Sequence, residues 1–159
     1  PYALLQSNRV EIKHRIPQAD GSIIEQEAPD QLGSGEVIIL QPYGSLFFAA
    51  APVFEEALPK VNVNSAGSIV ILRLRGRSDL GSTFMDVLTR YAASLRDVGS
   101  KLVIVSGDEQ LNAQLAVTGV TAVVGTTNIY TSDERVGATV HRAYTEALEW
   151  VESQRGGGN

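Results

Sequence analysis

The chain has 159 residues, 43% of them apolar, a formal net charge of −5 and no cysteine. Its length fits one domain with a single core, and the missing cysteines exclude disulfides and Cys-ligated metals. The acidic balance argues against a nucleic-acid partner, which would call for a basic face.

No run of eighteen apolar residues occurs, so nothing in these residues reads as a membrane span. The start, Pro1-Tyr2-Ala3-Leu4-Leu5, lacks the basic region and long apolar core of a secretory signal. Because it opens on Pro1 and not Met, the chain is expected to be a piece of a larger protein.

Taken in order, Val10-Glu11-Ile12-Lys13-His14-Arg15-Ile16 alternates as a half-buried edge strand, and Pro17 ends it. Residues 18–34 are polar and broken by Asp20-Gly21, Pro29 and Gly33, with a short hairpin strand predicted over 23–27. Val37-Ile38-Ile39-Leu40 is a β-branched run that predicts a central strand. An aromatic loop, Tyr43-Gly44-Ser45-Leu46-Phe47-Phe48, follows. A helix over 50–58 then turns Val53, Phe54 and Ala57 inward until Pro59 stops it.

Residues 68–91 are the stretch on which a functional reading hangs. The apolar run Ile69-Val70-Ile71-Leu72 predicts a strand buried on both faces. Phe84, Leu88, Tyr91 and Leu95 recur at helical spacing, and Gly99 is the expected left-handed cap of that helix. Between strand and helix lies a polar turn, residues 76–82, at the sheet end where open α/β proteins place their working residues.

Lys101-Leu102-Val103-Ile104-Val105 is a further buried strand, and Ser106-Gly107-Asp108 leads into a short helix over 109–117, closed by Gly119. Thr121-Ala122-Val123-Val124 reads as a last, edge strand. Thr131-Ser132-Asp133-Glu134 has the form of a capping box. The final helix carries Val136, Val140, Tyr144, Ala147 and Val151 on one stripe.

The predicted fold is α/β: a mostly parallel four- to five-stranded sheet with an antiparallel edge strand and about four helices. One domain is expected over residues 1–155, with a flexible Gly-rich tail at 156–159.

Most catalytic constellations are absent. His14 and His141 lack metal-ligand spacing and read as surface residues, so no metal site is expected. No phosphate-cradling Gly loop follows a strand, and neither Gly44-Ser45 nor Gly81-Ser82 forms a hydrolase elbow. The residues point away from an enzyme and call for no cofactor.

Two features of the turn have two readings each. Ser82 is either a helix N-cap, with a hydroxyl accepting from the first turn, or a group presented to a kinase or partner. Arg73, Arg75 and Arg77 alternate near the strand end. They either receive an anion or acidic partner, or pair internally with Asp79, Asp86 or Glu109. In the aromatic loop, Phe47 is expected in the core, whereas Tyr43, Leu46 and Phe48 are candidates for an exposed docking patch.

The strand leading to Tyr43-Gly44-Ser45-Leu46-Phe47-Phe48-Ala49, the helix after it, and Ile71-Leu72-Arg73-Leu74-Arg75-Gly76 with its turn resemble a STAS domain. The module is shared by anti-sigma-factor antagonists and the cytoplasmic tails of SulP anion transporters, and the two motifs are more similar to the SulP branch. The turn in that family usually reads Asp-Ser-Ser/Thr-Gly. By resemblance Ser82 matches the phosphate acceptor and Thr83 its neighbour, while Gly81 and Phe84 depart from the pattern, and Asp79 lies just upstream.

The resemblance implies a non-catalytic regulatory domain at the cytoplasmic face of the cell membrane. It would contact the membrane domain of its own transporter chain, form a homodimer in the full-length protein, and bind a soluble regulatory protein or a nucleotide. The anion carried would be sulfate, bicarbonate or similar. The alternatives are a free-standing antagonist switched at Ser82 and a nucleotide sensor at Arg73, Arg75 and Arg77.

Overall fold

A computed structural model describes residues 10–44, 46, 51–74, 80–132 and 137–156. Six strands, β1 (Val10–Pro17), β2 (Ile23–Glu27), β3 (Val37–Gly44), β4 (Ile69–Arg73), β5 (Lys101–Ser106) and β6 (Ile129–Thr131), form one sheet in the order β2-β1-β3-β4-β5-β6. Strands β3 to β6 are parallel to their neighbours; β1 runs antiparallel to β3, and β2 antiparallel to β1. The described residues also hold five α-helices: α1 (Ala51–Ala57), α2 (Ser82–Asp97), α3 (Glu109–Val117), α4 (Val120–Val124) and α5 (Ala138–Gly156).

β4 sits between β3 and β5 with all five residues buried, as an unbroken apolar run requires of a central strand covered on both faces. Alternation then sorts the core. Ile38, Leu40, Val70, Leu72, Leu102 and Ile104 face one way, into the larger core with Phe54, Phe84, Leu88 and Leu95. Ile39, Ile69, Ile71, Val103 and Val105 face the other way, onto Ala143, Ala147 and Val151 of α5. Four helices therefore lie over one face of the sheet and α5 over the other.

Buried serines close the amino ends of the parallel strands. Ser68 donates to the Gly33 carbonyl at 2.7 Å, and Ser65 to that of Leu32 at 2.6 Å. The Ser100 hydroxyl accepts from the Ser68 N–H at 2.9 Å while donating to the Ser65 carbonyl. These hydroxyls satisfy backbone groups that would otherwise be buried without partners.

The structure corrects several expectations. Residues 120–124 are helical, not an edge strand. Val120 and Val124, four apart, are both buried, and the chain enters the turn through Gly119 at φ +88°. The edge strand on that side is β6, and the sheet has six strands because the 23–27 hairpin strand forms as well. β1 is consequently internal, paired on both sides, and β2 forms the edge. Val53 is 44% exposed, not inward. Thr131 ends β6 and α5 is described from Ala138; the remainder of the expected capping box, Asp133 and Glu134, and Val136 lie outside the described residues.

Candidate functional site

At the carboxyl rim of the sheet, the start of α2 is held from three directions. Phe84 in its first turn is buried, with its ring 5.1 Å from that of Phe54 in α1 and tilted 45° to it. The Gln114 side-chain amide on α3 grips the backbone of buried Leu80: its Oε1 accepts from the Leu80 N–H at 3.0 Å and its Nε2 donates to the Leu80 carbonyl. The Gly81 carbonyl accepts from the Phe84 and Met85 N–H groups at 3.0 and 3.2 Å, closing the first helical turn.

On this frame Ser82 and Thr83 are exposed. The N-cap position belongs to Gly81, with extended backbone, and no side chain makes a capping bond there. The N-cap reading of Ser82 is thus corrected: Ser82 is the first helical residue, one position too late for its hydroxyl to cap. Thr83 borders a shallow groove of about 240 Å³ between α1 and α2, with Pro52, Asp86 and Val87. Across the groove Arg90 makes a forked pair with Glu55, Nε to Oε2 at 3.2 Å and Nη2 to Oε1 at 3.1 Å.

The remaining candidates are separated by the structure. β4 ends at Arg73, which is only 8% exposed and donates through Nη1 to Gln41 Oε1 on the neighbouring strand at 2.8 Å. Arg75, Arg77 and Asp79 lie outside the described residues, as do Phe47 and Phe48. Leu46 is 3% exposed and belongs to the larger core, so it is not a docking residue. An apolar side chain next to a buried strand end finds more surface to cover inside than outside.

Tyr43 is exposed, but its hydroxyl donates to Glu25 Oε1 at 2.6 Å, and Arg15 donates to the same oxygen at 2.6 Å. The Tyr43 bond, with Arg15 beside it, holds the Glu25 carboxyl below the usual range, while the same bond raises the Tyr43 phenol.

His141 is exposed, and His14 is half-buried; burial pushes the His14 imidazole down, opposed by the charge of Glu36. Among the described residues no cluster of His, Asp and Glu suits a metal ion, and no helix is long and apolar enough to cross a membrane. Sequence reasoning missed Gln41 and Gln114. Nothing local announces a contact to a residue 32 or 34 positions away.

The family model of the STAS domain matches residues 28–143. The chain belongs to the STAS domain family. Its fold is similar to that of a murine anion transporter, Solute Carrier 26 family member A9, in the inward-facing state. There the TM-score is 0.64 at 14% identity, covering 91% of this chain and 24% of that one. The chain thus spans about a quarter of that transporter's length.

A sulfate transporter family protein from Wolinella succinogenes aligns with a TM-score of 0.56 at 19% identity, covering 86% of this chain and 97% of that one. The STAS domain of a Vibrio cholerae SulP transporter gives 0.51 at 23%, covering 78% and 89%. No curated protein matches the sequence. In this STAS domain, then, the start of α2 at the sheet's carboxyl rim is held by Phe84 and Gln114 and carries the exposed residues Ser82 and Thr83.

Proposed function

We propose that this STAS domain is the cytoplasmic regulatory module of a SulP-type anion transporter and acts by contact, without chemistry of its own. The contacting surface is the start of α2, Gly81 to Thr83, with the α1–α2 groove beside it. The observation that carries the reading is the exposure of Ser82 and Thr83 on a turn fixed by Phe84 and Gln114. A preorganised turn loses little entropy when a partner covers it. The partner would be the membrane domain of the same chain or a second protomer, and the cargo a small anion such as sulfate or bicarbonate.

The test is a Ser82→Arg/Thr83→Arg variant of the full-length transporter reconstituted in vesicles. Anion uptake should fall several-fold while the thermal midpoint of the variant domain stays within about a degree of the parent, as expected for exposed positions. Unchanged uptake would remove this surface from the mechanism. Sequencing upstream of the Pro1 codon provides a second check: a series of apolar helices is expected there.

The exposed Ser82 hydroxyl, without a capping bond, also supports a second reading, an antagonist whose partner is switched by phosphorylation. A phosphate at the first position of a 16-residue helix would meet the positive end of its dipole, so the fold would tolerate it. Incubation with anti-sigma kinases and mass spectrometry of the Ser82 peptide tests this; no incorporation would count against it. Nucleotide sensing around Arg73 remains a third proposal, tested by titrating GTP or ATP and following the Arg73 and Leu74 amides.

A further inference from the structure

Among the described residues α5 is the one helix on its face of the sheet, where it packs on β3, β4 and β5 and not on the β1–β2 hairpin. The result is a trough of about 830 Å³ beside α5, within the range of about 300–1,000 Å³ usual for small-molecule sites. Its floor is Ile39 and the nearly buried Arg73; Val140 and Tyr144 of α5 form one wall, and the hairpin from Pro17 to Ile23 forms the other.

Two properties of this lining matter together. Most of its exposed surface is apolar, and Ile23 keeps 48% of its area open to solvent. Among the described lining residues the ionisable side chains are Arg15, Arg73 and His141 besides the phenol of Tyr144, with no carboxylate, and the nearest described counter-charge is Glu25, paired with Arg15 from outside the lining. The cations are also placed in order. Arg15 lies directly opposite Ile39 on β1, and Arg73 stands two residues past Ile71, the partner of Ile39 on β4. Both therefore rise from the same sheet face on either side of the apolar floor. Arg15 is paired with Glu25 and Arg73 with Gln41, contacts that orient both guanidiniums.

We propose that this trough binds an organic anion with an apolar body, of the size of a medium-chain carboxylate. The carboxylate is held by the guanidiniums at the floor and the hydrocarbon lies along Ile39, Val140 and Tyr144. An inorganic anion would leave the apolar walls wet, and a neutral alcohol would leave the arginines without a gain over water. The site lies on the opposite face of the sheet from the α1–α2 groove and does not depend on that groove's role.

Octanoate is the probe, titrated into the ¹⁵N-labelled 159-residue chain. Saturable amide shifts are expected at Gln18 to Ile23, at Arg73 and at Ala138 to Tyr144. Octanol and sulfate should need about ten-fold higher concentration or more, since each offers half of the complementarity. His141→Glu, at an exposed position that leaves the core intact, places a like charge at the rim and should weaken octanoate about five-fold or more. Arg73→Gln should weaken it further; if that variant fails to fold, the His141 variant decides. The proposal is overturned if millimolar octanoate moves none of these amides, if sulfate or octanol moves them equally well, or if His141→Glu leaves the affinity unchanged.

Discussion

Phe84 is the apolar anchor of the first turn of α2. It is buried, with its ring against that of Phe54 in α1. Gln114 completes the anchoring from the other side by satisfying both backbone groups of Leu80 with one side chain. Replacing Gln114 with Ala leaves a buried N–H and a buried carbonyl without these partners, a loss of about 1–3 kcal/mol for groups of this kind. Urea denaturation of Gln114→Ala should show a lowered midpoint with an unchanged slope. Amide exchange at Ser82 and Thr83 should quicken, because the turn loses its tether while the helix persists. An unaltered midpoint would mean that Leu80 is held by packing alone. The serines and arginines of this region were legible as candidates because their chemistry is written in their types. Gln114 was not, since its role comes from a fold that brings positions 80 and 114 together.

At the scale of elements, punctuation decided what could be read. The helix after the third buried parallel run, 101–105, is predicted over 109–117, and α3 occupies those residues, because its ends are written chemically. Asp108 accepts from the Gln110 and Leu111 N–H groups at 2.6 and 3.3 Å, and Gly119 supplies a left-handed turn after the last residue. The next five residues defeated the same reasoning. Thr121 to Val124 are rich in strand-favouring side chains, but a run so short obeys whichever neighbour can bury it. Here the four-residue spacing of Val120 and Val124 packs a helical turn against the larger core. The hairpin strand β2 was detected from its Asp20-Gly21 turn even though all five of its residues are exposed. Asp108→Ala removes both capping acceptor bonds and should cost about 1 kcal/mol. Calorimetry should find the thermal midpoint lowered by a few degrees, with the loss restored by Asp108→Ser or Asp108→Asn. A variant as stable as the parent would show that α3 is held by Leu111 and Leu115 and not by its cap.

Across the whole molecule, one sheet serves two unlike faces. The helix-covered face carries the larger core and the start of α2, while on the other, among the described residues, α5 covers β3, β4 and β5 and leaves a trough towards the hairpin. Coverage falls from the centre of the sheet to one edge: β4 is buried throughout, β1 is half-buried beyond Ile12, and β2 is wholly exposed. Surface ion pairs such as Lys13–Glu27 at 2.7 Å and Arg15–Glu25 at 2.6 Å hold β2 to β1, and exposed pairs contribute at most about 1 kcal/mol each. Local stability should therefore be graded in the same direction. In native-state hydrogen exchange, the amides of Val70, Ile71 and Leu72 and of Val103 and Ile104 should open only by global unfolding. Those of Ile24 and Gln26 should exchange orders of magnitude faster through opening of the hairpin alone. Raising the salt concentration should accelerate the hairpin amides further, since their ion pairs are screened, and leave the central strands unchanged. Equal protection across all six strands would mean that the hairpin folds as one unit with the core, and the open side of the sheet would then be a fixed wall instead of a mobile one.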